Sequence, residues 1–111
     1  MLNKMKGYRA ERKVKLLLTE VGWKVVRAGG SLGEYDLIAF KEGSCIFFQI
    51  KSTKKSKFYY YGYMQDTYEG FPFRLVVDFG RNNIRISEPR KMFGPSDGQN
   101  FHEFLNGNSF Q

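Results

Sequence analysis

The chain is poor in cysteine, histidine, acidic side chains and long apolar runs, and each shortage removes a class of function. One cysteine, Cys45, among 111 residues cannot close an internal disulfide, and its place among strand residues reads as a small buried apolar side chain. One histidine, His102, has no second histidine or cysteine to work with, so it is assigned no catalytic or metal role. No apolar stretch approaches the roughly 18 residues needed to cross a bilayer. Met1–Lys6 is polar and lacks a secretory-signal core, so a cytoplasmic chain, of a cell or of a virus-infected host, is expected, with no membrane partner. The Gly29-Gly30 pair lacks the spacing and the following helix of a dinucleotide fingerprint.

What is present is basic and aromatic. Hydrophobic residues make up 41% and aromatics 17%, which argues against disorder and for one domain with a modest core. Eighteen basic against eleven acidic residues give a formal charge of +7. Such an excess suits a polyanion, most often nucleic acid. Its placement is uneven: Lys4, Lys6, Arg9, Arg12, Lys13, Lys15, Lys24 and Arg27 crowd the first quarter, and Lys51, Lys54, Lys55 and Lys57 follow in a second group.

The periodicity predicts a helix from about Lys4 to Val21, with Ala10, Val14, Leu17, Leu18 and Val21 on one stripe and Gly22 as its stop. Strands are predicted over Trp23–Arg27, Gly33–Phe40 and Cys45–Lys51, with a turn at Lys41–Ser44. The aromatic stretch from Phe58 to Tyr63 reads as the entry to a short second helix through Glu69. Phe73–Phe79 reads as a buried strand and Asn82–Ser87 as an edge strand. Residues 1–89 are expected to form one nuclease-like domain, and 90–111 a flexible or docking C-terminal tail. The order of elements is that of an α/β fold with a mixed central sheet flanked by helices.

The chemistry concentrates around Asp36. An aspartate among Tyr35, Leu37, Ile38 and Ala39 must be paired, capped or functional. Gln49 and Lys51 stand two apart, so they project from the same strand face. If the two strands pair across Lys41–Ser44, a carboxylate, an amide and an ammonium converge, which is the material for divalent-metal-assisted phosphodiester hydrolysis. Glu11 is a possible third contributor or a simple i,i+4 partner of Lys15. Glu34, on the same face as Asp36, is a possible substitute carboxylate. Arg27 with the Gly29-Gly30-Ser31 loop can hold a phosphate. The tyrosines at 59, 60, 61 and 63 suit either base stacking or a core or dimer interface.

Gly7-Tyr8-Arg9-Ala10-Glu11-Arg12, Gly22-Trp23-Lys24-Val25-Val26-Arg27-Ala28-Gly29-Gly30-Ser31, Tyr35-Asp36-Leu37-Ile38-Ala39 and Gln49-Ile50-Lys51 together resemble the archaeal Holliday-junction resolvases of the PD-(D/E)xK nuclease superfamily. The resemblance covers roughly residues 6 to 57 and implies a restriction-endonuclease-like core. It implies a homodimer that cuts four-way DNA junctions symmetrically with Mg²⁺, for which Mn²⁺ can substitute. By motif it casts Glu11, Asp36, Gln49 and Lys51 as catalytic, and Asp36, Gln49, the Ile50 carbonyl and Glu11 as metal-holding. Arg9, Arg27, Ser31, Lys54, Lys55 and Lys57 fall to DNA binding. Two departures stand out: Gln49 occupies the place of the usual second acid, and Phe58–Pro72 is short for the family's second helix. The alternatives are a DNA- or junction-binding protein on a nuclease fold that cuts weakly or not at all, and an end-cutting nuclease of a mobile element.

Overall fold

The computed structural model describes residues 2–28 and 33–107, with side chains from Tyr8 onward. Helix α1 (Leu2–Glu20) is followed by strands β1 (Lys24–Arg27), β2 (Leu37–Lys41) and β3 (Ser44–Ser52). The short strands β4 (Phe58–Tyr59) and β5 (Thr67–Tyr68) lead to β6 (Phe71–Asp78) and β7 (Ile84–Ser87). The chain then forms β8 (Met92–Phe93), β9 (Gln99–Asn100) and α2 (Phe101–Gly107). The main sheet runs β1-β2-β3-β6-β7-β9, with β5 added against the start of β6 and a separate β4–β8 ribbon. Among the described residues, no helix is long and apolar enough to cross a membrane.

The stripe read on α1 is the one it buries: Ala10, Val14 and Leu18 are buried and Leu17 packs beside them. The helix ends where Gly22 turns to φ +100, with the Gly22 N–H on the Thr19 carbonyl and the Trp23 N–H on that of Leu18. That is the left-handed stop which a glycine makes without steric cost. Strand β3 shows period-two burial against this helix. Ile46, Phe48 and Ile50 join the core with α1 and α2, so Phe47, Gln49 and Lys51 lie on the other face. A second cluster of Tyr60, Leu75, Val77 and Phe93 covers that other face.

β3 and β6 are parallel, from Phe47 opposite Phe73 to Ser52 opposite Asp78. Their crossover contains no helix, contrary to the expectation for the 58–69 stretch. Phe58, Tyr59, Tyr60 and Tyr61 alternate between half-buried, exposed, buried and exposed, a strand period that the pairing of β4 with β8 satisfies. The edge assigned to 82–87 is also corrected, because β9 pairs with β7 on its outer side. The stretch expected as a flexible or docking tail folds onto its own domain from Met92 to Gly107, because Phe93, Phe101 and Phe104 are isolated in sequence yet buried in the two cores. Cys45 is half-buried rather than buried, since it lies on the more open face of β3.

Candidate active site

The site begins with the β2–β3 hairpin. Its two turn residues, Glu42 at φ 49 and Gly43 at φ 85, both adopt positive φ, the tight-turn geometry that matches strand twist. That turn sets the register from Lys41 opposite Ser44 to Leu37 opposite Phe48. Asp36 falls one step beyond the last pair, rather than inside the strand as the sequence pattern suggests. Its backbone N–H still donates to the Phe48 carbonyl at 2.7 Å, and its carbonyl accepts from Ala28 at 2.9 Å. Asp36 therefore sits where β1 and β2 part from β3 and the sheet opens.

The opening leaves β3 with donors that β2 no longer satisfies, and the Asp36 side chain takes them. Its Oδ2 accepts the Ile50 N–H and the Gln49 Nε2–H, each at 2.8 Å. Because the N–H and C=O of one strand residue point to the same edge, the Ile50 carbonyl lies on the Asp36 side as well. Burial pushes the Asp36 carboxyl above its ordinary value, and the charge of Glu11 adds to this, while the Ile50 N–H, Lys51 and Arg27 oppose it. Lys51 is half-buried on the same strand face as Gln49. The predicted convergence of Asp36, Gln49 and Lys51 is thus present.

Glu11 approaches from α1, but its partner is Arg27 and not Lys15. The Arg27 Nε donates to Glu11 Oε1 at 2.6 Å, and the guanidinium lies 5.3 Å from the centre of the Tyr8 ring. The hydrogen bond and charge of Glu11 raise the Arg27 pKa further. Arg27 also flanks an open groove of about 250 Å³ along α1, with Tyr8, Glu11 and Arg12 among its walls. Glu34 raises the pKa of the Tyr68 hydroxyl, where burial is the first cause, and together with Asp36 it acts on Tyr60. Arg9, Lys54, Lys55 and Lys57 are exposed. Ser31 and its two preceding glycines lie outside the described residues. No group of three or more His, Cys, Asp or Glu side chains able to hold a metal is found among the described residues.

Of the tyrosines at 59, 60, 61 and 63, expected either to stack on bases or to enter a core or dimer interface, Tyr60 is the one that enters the core, while 59 and 61 are exposed. It is buried behind the site, its hydroxyl donates to the Tyr63 carbonyl at 2.8 Å, and its pKa is pushed up to about 12, by burial first and then by the charges of Asp36 and Glu34. Gly62 makes room for it: a Cβ there would meet the Tyr60 hydroxyl at 2.5 Å and its ring at 2.7 Å.

Comparison with known proteins places this corner in context. A family described as archaeal Holliday junction resolvase (Hjc) matches residues 2–64. The crossover junction endodeoxyribonuclease Hjc of Methanocaldococcus jannaschii is 44% identical over 54 residues, covering 49% of this chain and 40% of that protein. The match thus spans two-fifths of the curated relative's length. The solved structure of Archaeoglobus fulgidus Hjc, a Holliday junction resolvase, superposes with a TM-score of 0.68 at 19% identity, covering 96% of this chain and 99% of that one. A bacterial homing endonuclease superposes with a TM-score of 0.58 at 19% identity, covering 81% and 72% of the respective chains. The likeness to both structures is one of fold.

Proposed function

Because the chain belongs to the archaeal Holliday junction resolvase family, we propose that it is a divalent-metal-dependent DNA endonuclease that resolves four-way junctions by symmetric cleavage, acting as a homodimer in the cytoplasm. The observation that carries this reading is the arrangement of Asp36 at the opening of the sheet, braced by Ile50 and Gln49, with Lys51 on the same patch and the Glu11–Arg27 pair beside it.

The donor set suits a hard cation in kind. Both braces occupy Asp36 Oδ2, so Oδ1 has no donor among the described residues, and the Ile50 carbonyl and the nearby Glu11 carboxylate supply further oxygens. Mg²⁺, or Mn²⁺ in its place, would be held by Asp36, the Ile50 carbonyl and Glu11, and would supply Lewis acidity toward the scissile phosphate and an activated water. Gln49 contributes its amide N–H to Asp36, so in this geometry it orients the carboxylate and adds no charge. Lys51 would stabilise negative charge developing on the phosphate oxygens or take the proton of the attacking water. Arg27, released from Glu11 or sharing it, would grip a backbone phosphate. Arg9, Ser31, Lys54, Lys55 and Lys57 would set the register on the duplex arms without reading bases.

A second reading, a junction-binding protein that cuts weakly, is favoured by one specific observation: Gln49 meets Asp36 with an amide N–H and brings no second carboxylate to the site. Incision of a labelled immobile four-way junction beside linear duplex, in Mg²⁺, Mn²⁺ or EDTA, with wild type and Lys51→Ala, separates the two. Paired symmetric nicks that vanish in EDTA and in Lys51→Ala support the nuclease. Tight binding without nicks, unrelieved by Gln49→Glu, overturns it.

A further inference from the structure

The margin of the sheet that carries Asp36 continues past β3. Strands β3 and β6 run parallel and in register, so Ser52 and Asp78 finish side by side. The antiparallel pairings of β1 with β2 and of β6 with β7 bring Arg27, Asp36 and the turn at residues 79–83 to that same margin. There Lys54, Lys55 and Arg81 line one open groove of about 610 Å³, with Phe79 and Pro95 among its walls and no acidic side chain lining it.

Two nearby carboxylates are already engaged. Asp78 lies 3.6 Å from the Lys13 ammonium and accepts the Gly80 N–H at 2.8 Å, and Asp97 accepts the Gly94 N–H at 2.7 Å. Lys54, Lys55 and Arg81 are exposed, and their side chains have no ion-pair or hydrogen-bond partner among the described residues. The turn that presents Arg81 is firmly set: Gly80, Arg81 and Asn82 all have positive φ, a conformation that side chains rarely adopt. It is tied by the Phe79 N–H to the Asn83 carbonyl, the Asn83 N–H to the Gly80 carbonyl, and the Asn83 amide to the Pro95 carbonyl. A cation on a braced turn loses little freedom when it meets an anion.

We propose that this groove is a second phosphate track, in which Arg81 joins Lys54 and Lys55 to hold the DNA backbone away from the scissile bond. The proposal rests on the nuclease reading above and extends its DNA contacts to the C-terminal half of the chain. Strands lie about 4.8 Å apart, so the four gaps from β1 to β7 span about 19 Å of margin. At about 3.4 Å per phosphate of one strand, that is five or six nucleotides. The groove offers charge and no built hydrogen-bond pattern for base edges, so its grip is independent of sequence.

The test is the affinity of a fluorescent immobile four-way junction, and of a short duplex, in EDTA across a salt titration, using wild type, Arg81→Glu, Lys55→Glu and Arg81→Lys. Arg81→Glu and Lys55→Glu should each weaken binding about tenfold and lower the slope of log affinity against log salt by about one, while Arg81→Lys keeps most of the affinity. A merely structural role for Arg81 would move the urea midpoint and leave the salt slope alone. Unchanged affinity and slope in both charge reversals overturn the groove and leave the nuclease standing. Failure of wild type to incise any junction in Mg²⁺, with binding and slopes as expected, overturns the nuclease and leaves the groove standing.

Discussion

The corner made by α1 and the first three strands differs in kind from the segment that follows residue 90. In the corner, a capped helix and a two-residue hairpin carry most of the geometry, and a polar cluster accumulates where β2 ends and β3 runs on. The later segment forms two two-residue strands and a seven-residue helix, whose value lies in the rings it delivers to cores built elsewhere. One region concentrates chemistry on the surface of the fold, and the other completes the fold without chemistry. Stability and activity should therefore separate under mutation.

The largest effect is expected in the later segment. Phe101 is fully buried, with its ring centre 6.5 Å from that of Phe48 and 5.7 Å from that of Phe104. Phe101→Ala should cost about 3–5 kcal/mol in urea unfolding. A loss below about 1 kcal/mol would mean that α2 is dispensable and that the contrast between the regions is false.

Asp36→Asn should do the reverse, lowering incision at least a hundredfold, about 2.7 kcal/mol of barrier, without lowering stability. Burial lifts the Asp36 carboxyl above its ordinary 3.8, so folding favours the protonated form. The stability it contributes is present below that ordinary value and is lost as pH rises through the folded pKa. Asparagine keeps the neutral form at every pH. In EDTA the mutant should therefore gain on wild type in urea midpoint as pH rises from below the carboxylate range toward neutrality. A mutant that loses ground over that interval would show the Asp36 charge to be stabilised in the fold.

Gln49→Glu sharpens the corner from within. A carboxylate in place of the amide adds one charge for a divalent ion and removes the hydrogen bond to Asp36. Mn²⁺ affinity by calorimetry should rise about tenfold; unchanged affinity would place residue 49 outside the metal's reach. Glu11→Gln is the smallest change. The Glu11–Arg27 pair is half exposed on the arginine side, so its loss should cost no more than about 1 kcal/mol in thermal or urea unfolding. A larger cost would make this pair a structural strut and not a surface contact.

The legibility of the two regions follows the same division. The α1 stripe, the Gly22 stop and the hairpin at 41–44 are legible because each rests on contacts within a few residues, and the hairpin then brings Asp36 within hydrogen-bond reach of Gln49. The aromatic stretch at 58–63 reads locally as a helix entry and forms a strand instead, because its alternating burial depends on a strand more than thirty residues later. Glu11 was open between Lys15 and a site role, since its actual partner lies sixteen residues away on another element. The Phe93, Phe101 and Phe104 spacing carries no period, so the tail looked unstructured until the cores that receive it existed.

By itself, then, the sequence determined the family, the helix and hairpin at the corner, and the identity of the polar groups there, because local periodicity and turn chemistry act over short distances. Only the tertiary structure decided that Gln49 turns its N–H to Asp36, that Arg27 clasps Glu11, and that Arg81 stands on the same margin as Lys54 and Lys55. Those outcomes depend on the parallel pairing of β3 with β6 and on where long side chains find partners. Such contacts join residues far apart in sequence, and no local rule specifies them.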